Sequence, residues 1–255
     1  LYRLKAYRIP ESSRQSRGTA IINLLQLDEG EVVTSIIPVD QMDKRRLVLA
    51  TKKGVINKMY LKDLESNRQS GIKVIRLDEG DEIIHVRILD EEADIFVATE
   101  KGKSIRFPST DMRVLGRNTR GVKSIDLDKD DEVVTVDIIE NNDGDILTIT
   151  SKGYGKRTPL DQYRPQGRGG KGLINYKLTE KTGHVVASTL VNDQDEIFLI
   201  NSQGTMIRIR AVDISRIGRN TSGVSLMRFD ENTEVVAFAK AMDIEEEEEK
   251  NGSED

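Results

Sequence analysis

A glycine returns about every fifty residues in this chain, and in most copies an arginine stands four residues ahead of it. The glycines are Gly18, Gly71, Gly121, Gly172 and Gly223, spaced by 53, 50, 51 and 51 residues. The arginines are Arg14, Arg117, Arg168 and Arg219; the second copy has Asn67 at that place and Arg68 one step later. Leu24, Leu77, Leu127, Leu178 and Phe229 follow the glycines by six residues, with Asp28, Asp78, Asp128 and Asp230 close behind. So regular a period is the mark of a repeat architecture, in which units too small to bury their own apolar faces stack on one another.

A second series runs in step with the first. Gly54, Gly102, Gly153 and Gly204 follow Lys53, Lys101, Lys152 and Gln203, and four residues later come Lys58, Arg106, Arg157 and Arg208. Short alternating apolar runs flank these glycines, at 47–51 and 55–59, 95–99 and 104–107, 146–150 and 154–157, and 197–200 and 205–209. They read as hairpins. A third strand is expected after each arginine-glycine loop, at 72–77, 122–127, 173–178 and 224–229. A fourth follows the acidic turn, at 82–88, 132–138, 184–190 and 234–239. Four strands per fifty residues make one propeller-like blade.

The predicted fold is all-β, with blades near 1–46, 47–94, 95–145, 146–196 and 197–242. The first is incomplete, because its hairpin glycine would fall before Leu1. Only 4% of residues are aromatic and 33% are charged, which suits thin, half-exposed strands. A start at Leu1 rather than methionine points to a fragment of a longer chain. No cysteine is present, which excludes disulfides and thiolate metal sites and fits a reducing cytoplasm. No apolar run approaches the roughly 18 residues that a membrane helix needs.

The net charge of −5 hides an asymmetry. Residues 243–255 carry eight acids and one base, so the remainder has a net charge of +2. A basic body with an acidic tail is the pattern of a nucleic-acid partner and an internal competitor. The run at 245–249 is expected to compete with DNA for the basic residues, so deleting the tail should raise affinity at low salt.

Catalysis is not expected. His85 and His184 lie on separate strands, no acid–base or metal constellation converges, and Gly169-Gly170 lacks the strand-to-helix setting and the lysine–serine/threonine pair of a phosphate-binding loop. A metal or cofactor is likewise not expected. The Asn/Asp-rich runs at 141–145 and 192–195 read as turns. Binding to a polyanion is expected instead. Lysine and arginine neutralise phosphates and release counterions, and neighbouring glycines let backbone N–H groups approach phosphate oxygens. The candidate DNA-binding residues are Arg14, Arg17, Lys52, Lys53, Lys58, Arg68, Lys101, Arg106, Arg117, Arg120, Lys156, Arg157, Arg168, Arg208 and Arg219. The arginines recur on loops rather than along a groove-reading helix, so the contact should be independent of sequence.

Gln166-Gly167-Arg168-Gly169-Gly170-Lys171-Gly172 resembles a variant of the gyrase box, the glutamine-arginine-arginine-glycine-glycine-basic-glycine motif of the C-terminal domain of the bacterial DNA gyrase A subunit. The segments at 2–11, 50–54, 77–82, 153–157 and 217–221 follow that family's pattern, and the resemblance covers roughly residues 1–240. It implies a β-pinwheel of six blades that exchange strands between neighbours and whose basic edge wraps duplex DNA. It adds Gln166, Gly169, Gly170, Lys171 and Gly172 to the DNA-binding set. It implies as partners duplex DNA, the rest of the gyrase A protein, and the gyrase B protein in an ATP-dependent supercoiling holoenzyme whose catalytic residues lie elsewhere. By blade order the chain opens in the second blade, outside the principal box; at Gly167 the box has arginine. The paralogous topoisomerase IV subunit is the nearest alternative. A protein-binding propeller is a more distant one, and the missing double-glycine and aromatic pattern argues against it.

Overall fold

The computed structural model describes residues 1–241 apart from 14, 40–43, 67, 69 and 231. Arg14 and the acidic tail therefore lie outside the described residues. The all-β expectation holds: the described chain contains strands and six single 3₁₀ turns. Four hairpins recur, β1 (Arg46–Thr51) with β2 (Val55–Tyr60), β4 (Asp94–Thr99) with β5 (Lys103–Pro108), β8 (Asp145–Thr150) with β9 (Tyr154–Pro159), and β12 (Glu196–Asn201) with β13 (Met206–Arg210). Each is joined on its first strand by the last strand of its own repeat: β3 (Ile83–Leu89), β7 (Val133–Ile139), β11 (Val185–Val191) and β15 (Val235–Lys240).

The strand after each arginine-glycine loop departs from the local reading, which expects six residues. It is two residues long in β6 (Val122–Lys123), β10 (Leu173–Ile174) and β14 (Val224–Ser225), and it pairs with the hairpin of the preceding repeat. The sheet orders are β3-β1-β2-β6, β7-β4-β5-β10 and β11-β8-β9-β14, and the last sheet is β15-β12-β13. This is the exchange between neighbours that the resemblance implies. The first repeat follows the same rule in miniature. Leu1 and Ile72 exchange two backbone bonds at 2.9 Å, and no named strand lies between residues 1 and 45 among the described residues.

The core lies between blades rather than within one. Val48, Ala50 and Ile56 of the first complete sheet pack on Ile95, Val97, Ile105 and Phe107 of the next. Phe96 and Tyr163 meet edge to face at 5.4 Å across the following junction, beside Ile146 and Leu160. Leu147, Ile149, Leu199, Ile214 and Met227 close the next one. The three four-stranded sheets are therefore apolar on both faces, which explains hairpin strands that are buried nearly throughout, while the last sheet buries one face only. The last strands β3, β7, β11 and β15 contact one another in order and form the inner side of the array. The arginine-glycine loops and the exchanged strands lie at the opposite, outer edge of the sheets.

Candidate nucleic-acid interface

The basic residues fall into two groups that serve different ends. The first group accompanies the hairpin glycines and is spent on the fold. Lys53, Lys101 and Lys152 donate through Nζ to the carbonyls of Glu79, Lys129 and Glu180 at 2.6–2.7 Å, so each pins the acidic turn of its own repeat. Lys52 bridges Glu82 and Glu132 of successive repeats. Lys58, buried at 2% exposure, donates to Ser109 O at 2.7 Å and pairs with Glu92. Arg106 pairs with Asp94 at 2.7 Å, and Arg157 with Asp145 at 3.3 Å. Arg208 is exposed but is paired with Glu196 and stacked on Phe198.

Lys156 is fully buried. Its Nζ is surrounded by Gly218 O, Arg219 O and Thr221 Oγ1 and lies 5.0 Å from the Tyr176 ring centre. Burial, and then the nearby Arg219 guanidinium, pull its pKa down to about 7. The sequence reading places Lys53, Lys58, Lys101, Arg106, Lys156 and Arg157 against DNA. In the structure their charged ends meet carbonyls and carboxylates of the fold, with Lys53 and Lys101 exposed and the other four buried. The hairpin's second strand carries Lys58, Arg106, Lys156 and Arg157 into the junction between blades, where an unpaired cation would be costly.

The second group belongs to the arginine-glycine loops at 112–121, 163–172 and 214–223. The three loops dock alike. Leu115, Gln166 and Ile217 donate backbone N–H groups to the carbonyls of Lys58, Arg106 and Arg157, each on the hairpin of the preceding repeat. The loop then turns at its glycine and delivers the exchanged strand to that same hairpin. Arg168 and Arg219 brace this crossing through Nη1, which donates to Lys123 O at 2.5 Å and to Ile174 O at 2.8 Å. Their backbone N–H groups reach Asp111 Oδ2 and Gln162 Oε1. These two arginines thus clip neighbouring blades together and leave only part of each guanidinium to solvent.

Arg117, the equivalent in the third repeat, is exposed with no partner among the described residues. Arg113 and Arg164 are also exposed, and they too have no partner among the described residues. The sequence reading missed both, although they are 51 residues apart and stand four residues before Arg117 and Arg168. Arg17 and Arg68 are exposed. Arg120 is tied to Asp78 and Lys171 to Asp126, at 2.5 and 2.7 Å. Lys123 shares Asp126 at 2.9 Å. Hydrogen bonds from Lys171 and then Lys123 hold the Asp126 carboxyl down at about 2. Within the variant box, Gly169 donates to Ser124 O at 2.8 Å, and Gly170 O accepts from Asp126 N at 2.9 Å.

The family model for the DNA gyrase C-terminal domain, a β-propeller, matches the chain five times in succession, at residues 1–40, 45–90, 93–140, 144–192 and 195–247. The chain belongs to the DNA gyrase C-terminal domain family. It is 45% identical to the DNA gyrase A subunit of Clostridium acetobutylicum over 94% of its length, and 38% identical to that of Escherichia coli over 97%. It spans 29% and 28% of those relatives. A solved gyrase A C-terminal domain superposes with a TM-score of 0.80 at 27% identity, over 89% of this chain and 76% of that one. The C-terminal domain of DNA topoisomerase IV superposes at 0.82 with 23% identity, over 88% and 70%, which is a likeness of fold. In this member of the gyrase family, no helix among the described residues is long and apolar enough to cross a membrane. No group of three or more metal-ligating side chains comes together among them.

Proposed function

We propose that this chain is the DNA-wrapping part of a DNA gyrase A protein. It binds duplex DNA along the outer edge of its blades through phosphate contacts. In the cytoplasm, with the rest of the gyrase A protein and with the gyrase B protein, it supports ATP-dependent negative supercoiling, while catalysis resides elsewhere in the holoenzyme. The observation that carries this reading is the identical docking of three loops, two of which present Arg113, Arg117 and Arg164 to solvent without partners among the described residues. Cations repeated at one structural position match a backbone of evenly spaced phosphates and carry no base code. A duplex that follows several blades must bend. Bending 20–30 base pairs by 40–90° costs of order 1–6 kcal/mol, so contacts on several loops are needed to offset it.

Replacing Arg113, Arg117 and Arg164 together by alanine should weaken duplex binding about tenfold at ~100 mM salt and flatten the log–log salt slope by about 2.7. Unrelated duplexes should be affected equally, and the melting temperature should stay where it is, since none of the three braces the fold. Energy transfer between the ends of a duplex of about 150 base pairs, one persistence length, should report the bend. Unchanged affinity in the triple variant would remove the loops from the interface. Absence of wild-type binding at any salt would favour a protein-binding propeller. The double change at Arg168 and Lys171 is a weaker test, because Arg168 also holds two blades together.

A further inference from the structure

At the four loop glycines from Gly71 onward, each of which follows another repeat in this chain, the residue just before the glycine is basic only where an acid of the preceding repeat is in place to meet it. Asp78 stands seven residues after Gly71 and holds Arg120, which precedes Gly121; its Oδ2 accepts from Nε at 3.0 Å and from Nη2 at 2.5 Å. Asp128 stands seven residues after Gly121 and faces Lys171, which precedes Gly172, at 3.9 Å, with Asp126 closer at 2.7 Å. At the next junction both charges are missing together, with Thr179 and Ser222 in those places. They are also missing at the first junction, which has Leu25 and Ser70.

These pairs are not what docks the loops. The loop ending at Gly223 makes the same N–H to carbonyl bond as the others, from Ile217 to Arg157 at 2.8 Å, with no charge pair at its tip. The paired cations are open to solvent, with 59% of the Arg120 side chain, 60% of Lys123 and 64% of Lys171 exposed. Ion pairs so exposed add little to stability. Asp78, Arg120, Lys123 and Asp126 line one cleft of about 460 Å³ between the two junctions. The pairs Asp78–Arg120 and Asp126–Lys123 therefore open onto the same groove at the edge where the exchanged strand is laid down, and Lys171 reaches Asp126 from the next loop.

We infer that Asp78 and Asp126, assisted by Asp128, are resident counter-ions of the DNA-binding edge: each holds a cation that a phosphate can claim only by displacing the carboxylate, and together they set the edge's affinity and salt dependence. The inference rests on the reading of this edge as a DNA surface. A tethered carboxylate competes at any bulk salt concentration, so the cations it holds contribute little counterion release until it is gone. Lys171 and Lys123 keep Asp126 ionised down to about pH 2, so the restraint stays in force throughout the range in which the fold is handled. Its strength is fixed by the sequence rather than by pH.

The test is Asp126→Asn, which keeps the shape and frees Lys171 and Lys123, measured in this chain on a duplex of fixed length across a salt series. Affinity should rise about tenfold at ~50 mM salt, and the log–log slope should steepen by about 1.8, two cations' worth. Asp130→Asn removes the same charge from an exposed aspartate with no ion pair among the described residues, and its gain should stay below about twofold. Equal gains in the two variants would reduce the effect to overall charge and overturn the inference. So would a loss of affinity in Asp126→Asn accompanied by a lower melting temperature, which would make the pair a structural brace. If the wild-type chain bound no duplex even at low salt, the DNA reading itself would fall, a result distinct from either of these.

Discussion

Replacing Arg157 by alanine is expected to lower the stability of the fold by about 3–5 kcal/mol, the range for removing one partner of a buried ion pair. The side chain is 5% exposed and ties together three segments. Nε donates to Ile214 O at 3.1 Å, Nη2 donates to Val212 O at 3.4 Å, and Nη1 pairs with Asp145 and with Asp193. Asp145 is itself 4% exposed and would keep only Arg216 as its counter-charge among the described residues. The truncation also takes a donor from two carbonyls and leaves a gap beneath the turn at 211–213. For a domain of this size the melting temperature should fall by about 10 °C. Affinity for DNA, measured well below the transition, should change little. A variant that melted like the wild type but bound DNA poorly would restore Arg157 to the interface and contradict its assignment to the fold.

The second large effect is expected at Gly172, the last residue of the variant box. Its φ is +73°, and a Cβ there would lie 2.5 Å from Ser104 O. That carbonyl cannot retreat without disturbing the sheet, because β10 pairs with β5 at this very point through Leu173 opposite Ser104 and Ile174 opposite Lys103. Left-handed backbone costs an ordinary residue about 1–2 kcal/mol before any clash is counted. Gly172→Ala should therefore destabilise by about 3 kcal/mol or more and loosen the exchanged strand. Gly167→Ala, five residues earlier in the same motif, should stay within about 0.5 kcal/mol, since a Cβ there meets nothing within 4 Å. Chemical denaturation of the two variants side by side is the measurement. Equal midpoints would mean that the loop glycines serve ligand approach rather than the crossing between blades.

The contrast between these positions explains what the sequence made legible. Period, hairpins and all-β class can be read directly, because glycine turns and alternating apolar residues are local signals. The order of strands in a sheet is hidden, because β6 pairs with β2 across more than sixty residues and only the family resemblance carries that information. The fold partners of the hairpin-linked bases are hidden for a related reason. Lys58, Arg106 and Arg157 lie on strands whose burial is created by the next blade, and a pattern confined to one repeat does not register a neighbour. Arg113 and Arg164 escape notice because they lack an adjacent glycine, although their spacing of 51 residues is as regular as that of the loops.

The exchanged strand also changes how the array answers to force. Because the loop at 163–172 is bonded to β5 of one blade and continues into the strand leading to the next acidic turn, tension on that loop is shared between two sheets. Blades built this way act as links of a chain rather than beads on a thread. Removing the last fifty-residue repeat would deprive the preceding hairpin of its outer strand, β14, as well as deleting a blade. A bent duplex straining to straighten against such an edge would load the whole row, and the row would yield together.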